Sequence, residues 1–206
     1  MKNKMKNKDI NNTLIPVVVE KEGNYERSYD IYSRLLKDFI IFVTGPIDMA
    51  TSNTFIAQML FLESIDPTRD IKIYINSPGG EAYSGRAMFD TVRHVKNDVV
   101  TINTGLCASA AALLLCSGTK GKRYSLPGAH TMIHQTLGGA EGQATDIEIY
   151  AKQMIKMKHD YAKLIAEQTG KSFEQVLLDI ERDNWMSSEE TKEYGIIDNI
   201  LESSKK

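Results

Sequence analysis

Apolar and polar positions along this chain recur with two different periods, and the switching between them outlines an architecture. A dozen residues rich in Lys and Asn show no period, then the chain turns apolar in Ile15-Pro-Val-Val-Val19. The stretch from Arg27 to Leu36 leads into a β-rich run, Ile40-Ile-Phe-Val43, closed by Gly45-Pro46. Helical spacing follows over residues 50–64. Two short β-rich runs, Ile71-Lys-Ile-Tyr-Ile75 and Val99-Val-Thr-Ile102, then flank a helix-length segment over residues 84–96, which makes a βαβ unit. Strands alternating with helices predict a mostly parallel sheet whose ligand-binding loops gather at the carboxyl ends of the strands. Two segments stand at such ends: Asn76-Ser-Pro-Gly-Gly80 and Gly105-Leu-Cys-Ala-Ser109.

Past the glycine-rich residues 138–142 a long amphipathic helix is predicted, about residues 145–168. Ile147, Tyr150, Ala151, Met154, Met157, Tyr161, Leu164 and Ile165 lie on one stripe that needs a cover. Two further helices carry capping-box signatures, Ser172-Phe-Glu-Gln175 and Ser187-Ser-Glu-Glu190, the second ended by Gly195.

The length of 206 residues suits one sizeable α/β domain. The expected organisation is a disordered leader over 1–13, a folded domain over 14–201 and a short disordered tail over 202–206, with leader cleavage near Asn12 to Leu14. Twenty-five basic and 27 acidic residues are mixed along the chain for a net charge of −2, so no basic face is available for nucleic acid. No apolar run reaches the roughly 18 residues of a membrane span, and the basic first residues are followed by polar ones. The expectation is a cytoplasmic protein without a membrane or nucleic-acid partner. Cys107 and Cys116 have neither zinc nor disulfide-framework spacing.

Acyl transfer from an amide needs a nucleophile, a base, a group that orients the base, and donors aimed at the developing oxyanion. Ser109 precedes the apolar run Ala110-Ala-Ala-Leu-Leu-Leu115, so it opens a helix where backbone N–H groups favour an anion; the plainer reading is a helix N-cap. Cys107 is a rival nucleophile, and it stands where the serine of a G-x-S-x-G elbow would be, which excludes that motif. Among four histidines, His94, His130 and His159 suit solvated roles, whereas His134 follows Thr131-Met-Ile133 at a strand end, placed for proton transfer. Asp146, Asp179, Asp183 and Asp198 are all candidates for the orienting acid, and spacing does not choose among them. Gly79 and Gly80 would let a backbone N–H approach a reacting carbonyl with no Cβ in the way, or simply form a tight turn.

In order along the chain, Tyr29-Asp-Ile-Tyr-Ser-Arg-Leu-Leu36, Gln58-Met-Leu-Phe-Leu-Glu63, Tyr74-Ile-Asn-Ser-Pro-Gly-Gly80, Met132-Ile-His-Gln135, Gly142-Gln-Ala-Thr-Asp-Ile-Glu-Ile149 and Glu193-Tyr-Gly-Ile-Ile-Asp198 resemble the Clp protease proteolytic subunit. The likeness covers about residues 14–201. It implies a crotonase-like α/β superhelix of βαβ units with a protruding handle helix. It implies a serine endopeptidase that cuts unfolded proteins to short peptides, with a Ser109, His134, Asp183 triad and an oxyanion hole from the backbone N–H groups of Gly80 and Ala110. It further implies two stacked seven-membered rings enclosing the sites, with Arg182 meeting Gln143 and Asp146 of the opposite ring. The implied partner is an AAA+ unfoldase of the ClpX or ClpC/ClpA type, seated in an apolar pocket at Tyr74, Lys72 and His94. No G-x-x-x-x-G-K-[ST] motif is present, so ATP belongs to that partner and no cofactor or metal is expected here.

Four positions depart from the usual family pattern: Ala110 replaces a common Met, Thr136 a Pro, Lys72 a Tyr and His94 a Phe. The first two predict altered side-chain preference, the last two a weaker unfoldase anchor, and together they suggest a secondary paralogue acting in a mixed complex with another Clp proteolytic subunit. Two rival functions are a weakly active or structural ring subunit and a crotonase-type acyl-CoA enzyme. The first lacks its usual mark, a lost triad residue, and the second lacks a basic cluster for the CoA phosphates.

Overall fold

The computed structural model describes residues 14–23 and 25–202. The expected leader over 1–13, all but Leu14 of the expected cleavage region at Asn12 to Leu14, and most of the expected tail lie outside the described residues. The chain divides into two compact units, residues 1–38 and 39–206.

The described part of the first unit is a hairpin and one short helix. β1 (Val17–Glu22) and β2 (Tyr25–Asp30) pair antiparallel, a hairpin that the apolar run at 15–19 only half announces. Asp30 caps α1 (Ile31–Leu36) by accepting from the Ser33 amide at 2.9 Å. From α1, Arg34 reaches both Glu20 and Asp38, tying helix to hairpin with charge.

The second unit alternates strand and helix as the periodicity predicts. β3 (Ile40–Thr44), α2 (Met49–Ile65), β4 (Ile71–Ser77), α3 (Ala82–His94), β5 (Val99–Ala108), α4 (Ala110–Cys116) and β6 (Arg123–Ser125) come first. They are followed by β7 (His130–Ile133), α5 (Ala144–Thr169), α6 (Phe173–Asp179), β8 (Asn184–Met186), α7 (Ser188–Tyr194) and β9 (Asn199–Ile200). The sheet runs β3-β4-β5-β6-β9, all parallel, and only β7 and β8 pair antiparallel. This is the mixed α/β, mainly parallel architecture that the resemblance implies. Ile71, Ile73 and Ile75 of β4 are buried on one face while Lys72 and Asn76 are exposed on the other, so the alternation read from the sequence is the alternation of burial.

β5 departs from expectation in a way that matters. The β-rich run at 99–102 and its extension toward Gly105 suggest a strand that stops well short of Ser109, yet β5 continues to Ala108. Its first half pairs with β6 (Thr101–Asn103 against Arg123–Ser125) and its second half with β7 (Leu106–Ala108 against His130–Met132). The switch occurs where the register to β4 shifts between Ile75 and Ser77. There the Asn76 side chain accepts from the Leu106 amide at 3.1 Å and the Asn103 side chain accepts from the Gly105 amide at 3.1 Å. Two asparagines thus satisfy backbone groups that the irregular ladder would orphan, a device invisible to periodicity.

One other expectation needs correction. Ser172 accepts from the Gln175 amide, but the Gln175 side chain turns to Asp179 at 2.8 Å, so α6 has a one-way cap and no reciprocal box. The box at Ser187 and Glu190 is complete. On α5, Leu164 and Ile165 are buried with Ala162 and Ala166, while Ile147, Tyr150 and Ala151 at the helix start are exposed within this chain.

Candidate active site

Three strands meet edge to edge at the end of the sheet, and the register between them decides which side chains are neighbours. β7 is the middle one. On one side Ala108 of β5 pairs with Met132, and the Ser109 amide donates to the Met132 carbonyl at 2.8 Å. On the other side Ile133 pairs antiparallel with Asn184 of β8, so the next residue on each strand, His134 and Asp183, come opposite each other. Their side chains meet, His134 Nδ1 to Asp183 Oδ1 at 3.3 Å. The approach is clamped from behind: the Gln135 amide donates to the Ile180 carbonyl at 2.6 Å and its side-chain amide to the Glu181 carbonyl at 2.8 Å. Lys158 of α5 holds Glu181 at 2.5 Å and keeps that carboxyl below its ordinary range.

Of the four candidate acids, only Asp183 lies against a histidine. Asp198 is engaged by the buried Arg123 guanidinium at 2.6 Å, Asp179 accepts from the Tyr194 hydroxyl at 2.8 Å, and Asp146 lies exposed in the first turn of α5. The imidazole of His134 is mostly enclosed whereas the Asp183 side chain is 60% exposed.

Ser109 is not an ordinary cap. N-cap residues adopt extended backbone and offer a side-chain oxygen to the first turn. Ser109 has φ 55° and ψ −120°, and its hydroxyl makes no capping bond. A non-glycine residue in that conformation is strained, and such strain persists only where surrounding structure imposes it. At the sharp turn between β5 and α4, Ser109 lines a cavity of about 590 Å³, which His134, Gly80, Ala110, Met132, Thr136 and Leu137 also line. Among the described hydrogen bonds none joins the Ser109 hydroxyl to the His134 ring; the two residues line the same cavity.

The glycine loop after β4 comes close to that turn. An ideal Cβ on Gly79 (φ 84°) would lie 2.4 Å from the Ala108 carbonyl oxygen, and one on Gly80 would lie 2.0 Å from the Ile47 carbonyl oxygen. The Ile47 amide donates to the Gly79 carbonyl at 2.9 Å and the Glu81 amide to the Ile47 carbonyl at 2.8 Å. In that parallel bridge the amide of Gly80 itself points away from Ile47. Ala110, the other donor expected of the resemblance, is the first residue of α4.

The rival nucleophile loses its case here. Cys107 is completely buried, and burial pushes its thiol well above the ordinary range; Cys116 is likewise buried and pushed up to about 12. Neither offers a thiolate to a substrate.

A model of the Clp protease family matches residues 22–204, nearly the whole chain. The chain belongs to the Clp protease family. Family membership makes it a serine-type peptidase, which accords with an amide-cleaving layout and not with the CoA-binding alternative. The remaining residues singled out by the Clp resemblance fall elsewhere. Tyr74 stacks on Phe42 at 5.2 Å, Lys72 is exposed two residues earlier on the same face of β4, and His94 is exposed at the end of α3. Among the described residues no hydrogen bond or ring contact joins His94 to the other two. Arg182, Gln143 and Asp146 are exposed; Gln143 caps α5 and Asp146 lies in its first turn, and among the described residues no hydrogen bond or ion pair joins Arg182 to either of them. Among the described residues no group of three or more His, Cys, Asp and Glu could hold a metal, and no helix is long and apolar enough to cross a membrane.

One residue of the site escaped sequence reading. Tyr161 lies on the α5 stripe, where it reads as one more apolar contact, but its hydroxyl donates to the Ser109 carbonyl at 3.2 Å. A phenol on an apolar face needs a polar partner when enclosed, and that was the available signal.

Proposed function

We propose that this chain is the proteolytic subunit of an ATP-dependent Clp peptidase, an endopeptidase in which Ser109 is the nucleophile, His134 the general base and Asp183 the group that orients the imidazole. The observation that carries the reading is the 3.3 Å approach of Asp183 to His134 Nδ1, beside a cavity that His134 shares with the strained Ser109. With Nδ1 turned to the carboxylate, Nε2 is the nitrogen left to take the proton of Ser109 as it attacks the substrate carbonyl, and to return it to the leaving amine. The Ser109–His134 hydrogen bond forms as substrate fills the cavity, since such contacts are commonly loose in free enzymes and tighten in the complex. The amides of Gly80 and Ala110 receive the oxyanion.

The larger assembly belongs to the same proposal: stacked seven-membered rings joined through α5 and through Arg182 against Gln143 and Asp146 of the facing ring. An AAA+ unfoldase supplies the ATP chemistry. The Phe42 and Tyr74 stack beside Lys72 gives the docking face an aromatic centre flanked by a cation, which supports a weaker anchor and a paralogue working in mixed rings. The mechanism is tested with a fluorophosphonate or β-lactone probe followed by peptide mapping. Label on Ser109, absent in a Ser109→Ala chain, supports it; label on Cys107, or none on Ser109 in the assembled enzyme, defeats it.

A further inference from the structure

The peptide unit between Ser109 and Ala110 has two ends. Its N–H is one of the two oxyanion donors proposed above, and its C=O is the carbonyl of Ser109. Because a trans peptide is planar, these two groups point in opposite directions and cannot be aimed separately. Whatever holds the carbonyl also aims the amide.

Three donors converge on that carbonyl: the amides of Ala112 at 3.0 Å and Leu113 at 3.2 Å, and the hydroxyl of Tyr161 at 3.2 Å. The two amides belong to the first turn of α4 and come with any helix that starts there. Tyr161 does not; it reaches in from α5, 52 positions along the chain. A carbonyl oxygen accepts only, so the hydroxyl must be the donor. Burial pushes the phenol upward from its ordinary range, which keeps the proton on oxygen at any working pH.

We infer that Tyr161 is a positioning residue for the peptidase reaction: by donating to the Ser109 carbonyl it fixes and polarises the Ser109–Ala110 peptide so that the Ala110 N–H is a better-aimed and stronger donor to the oxyanion. The inference rests on the proposed nucleophile and deepens it. Polarisation follows because a peptide whose oxygen accepts a hydrogen bond carries a more positive N–H, as in any hydrogen-bonded chain. Fixing matters because Ser109 is strained at φ 55°, and a helix first turn alone gives way easily. Tyr161 also lines the cavity, so α5 contributes to this peptide and to the cavity wall at once.

The test compares the full assembled chain with Tyr161→Phe, using a short fluorogenic peptide amide as substrate and a peptide boronate, whose anionic adduct imitates the oxyanion. Loss of one direct oxyanion donor costs about a hundredfold or more in rate, and Tyr161 acts one bond removed, so Tyr161→Phe should lower kcat roughly tenfold with KM little changed. Boronate affinity should fall in parallel with kcat. A Tyr194→Phe chain, which loses a half-buried hydroxyl bonded to Asp179, should keep its kcat. An unchanged kcat in Tyr161→Phe, or a change confined to KM, overturns the inference. Should Tyr161→Phe fail to assemble, 3-fluorotyrosine at position 161 is nearly isosteric and a stronger donor. A kcat at or above that of the unmodified chain then supports the inference, and a fall overturns it. Ser109→Ala is run beside these: residual activity there sinks the parent reading, whereas a dead Ser109→Ala with a fully active Tyr161→Phe sinks only the role of Tyr161.

Discussion

At Ser109 the backbone is held where a β-carbon is disfavoured, and on the proposed mechanism its oxygen depends on the imidazole of His134 in the same cavity. Ser109→Ala removes the proposed nucleophile while leaving Cβ, fold and turn intact, so peptidase activity should drop by about four to six powers of ten with the thermal midpoint unmoved. Asp183 separates the two properties differently. Its carboxylate is largely solvated, so Asp183→Asn should cost under about 1 kcal/mol of stability by denaturant unfolding yet lower kcat by roughly four powers of ten, because the imidazole loses its tautomer. Gly80→Ala should do the reverse damage: its new Cβ would meet the Ile47 carbonyl at 2.0 Å, forcing the loop open and lowering both midpoint and activity.

The Arg123 and Asp198 pair is the residue-scale feature with a pH signature. Burial raises the Asp198 carboxyl, but hydrogen bonds from the Arg123 guanidinium and amide and from the Gly121 amide outweigh it, so the group titrates below the usual carboxylate range. A depressed carboxyl contributes stability that is complete above the unfolded value of about 4 and lost as pH falls through the folded one. Urea midpoints should therefore decline below about pH 4 in the parent, and this share of the decline should vanish in Asp198→Asn. That variant would be less stable at neutral pH by about 3 kcal/mol, since Arg123 is left buried without its counter-charge.

At the scale of elements, the site depends on β7 being flanked by β5 on one edge and β8 on the other. β8 is three residues long and held to its place from outside: Gln135 binds the Ile180 and Glu181 carbonyls before it, and the Ser187 capping box starts α7 directly after it. Ser187→Ala should cost about 1 kcal/mol of stability. If loosening α7 reaches β8, activity should fall before the protein unfolds, read as a lower temperature for loss of peptidase rate than for loss of helix signal. Not all of this was legible beforehand. The helix from residue 49, the β-rich runs at 71 and 99 and the long helix after 144 all follow from period and capping residues. The extension of β5 to Ala108 did not, because it relies on the side chains of Asn76 and Asn103 repairing a ladder, and asparagine reads in sequence as a strand breaker.

For the whole molecule, the exposed start of the α5 stripe is the largest question the chain sets itself. Ile147 and Tyr150 on that stripe are large, apolar and exposed. On the proposed ring architecture that surface is covered by the facing ring, and Ile147→Glu should shift sedimentation from double to single rings. Arg182→Ala addresses the polar half of the same contact: if it abolishes ring pairing yet leaves activity full, the proposed coupling between assembly and Asp183 next door fails.

What the residues determined by themselves were the kinds of element and the family. Hydrophobic period, capping serines and glycine stops are local, written within a few positions, and the motifs of the family are short runs in order. Which acid serves His134 was not local. Asp146, Asp179, Asp183 and Asp198 are equivalent as sequence, and only the pairing of Ile133 with Asn184 sets one of them opposite the ring. The same holds for Tyr161, whose hydroxyl is one apolar stripe's oddity until helix α5 lies against the turn at Ser109. Side chains far apart in the chain acquire neighbours only through strand register and helix docking, and the chemistry resides in those neighbours.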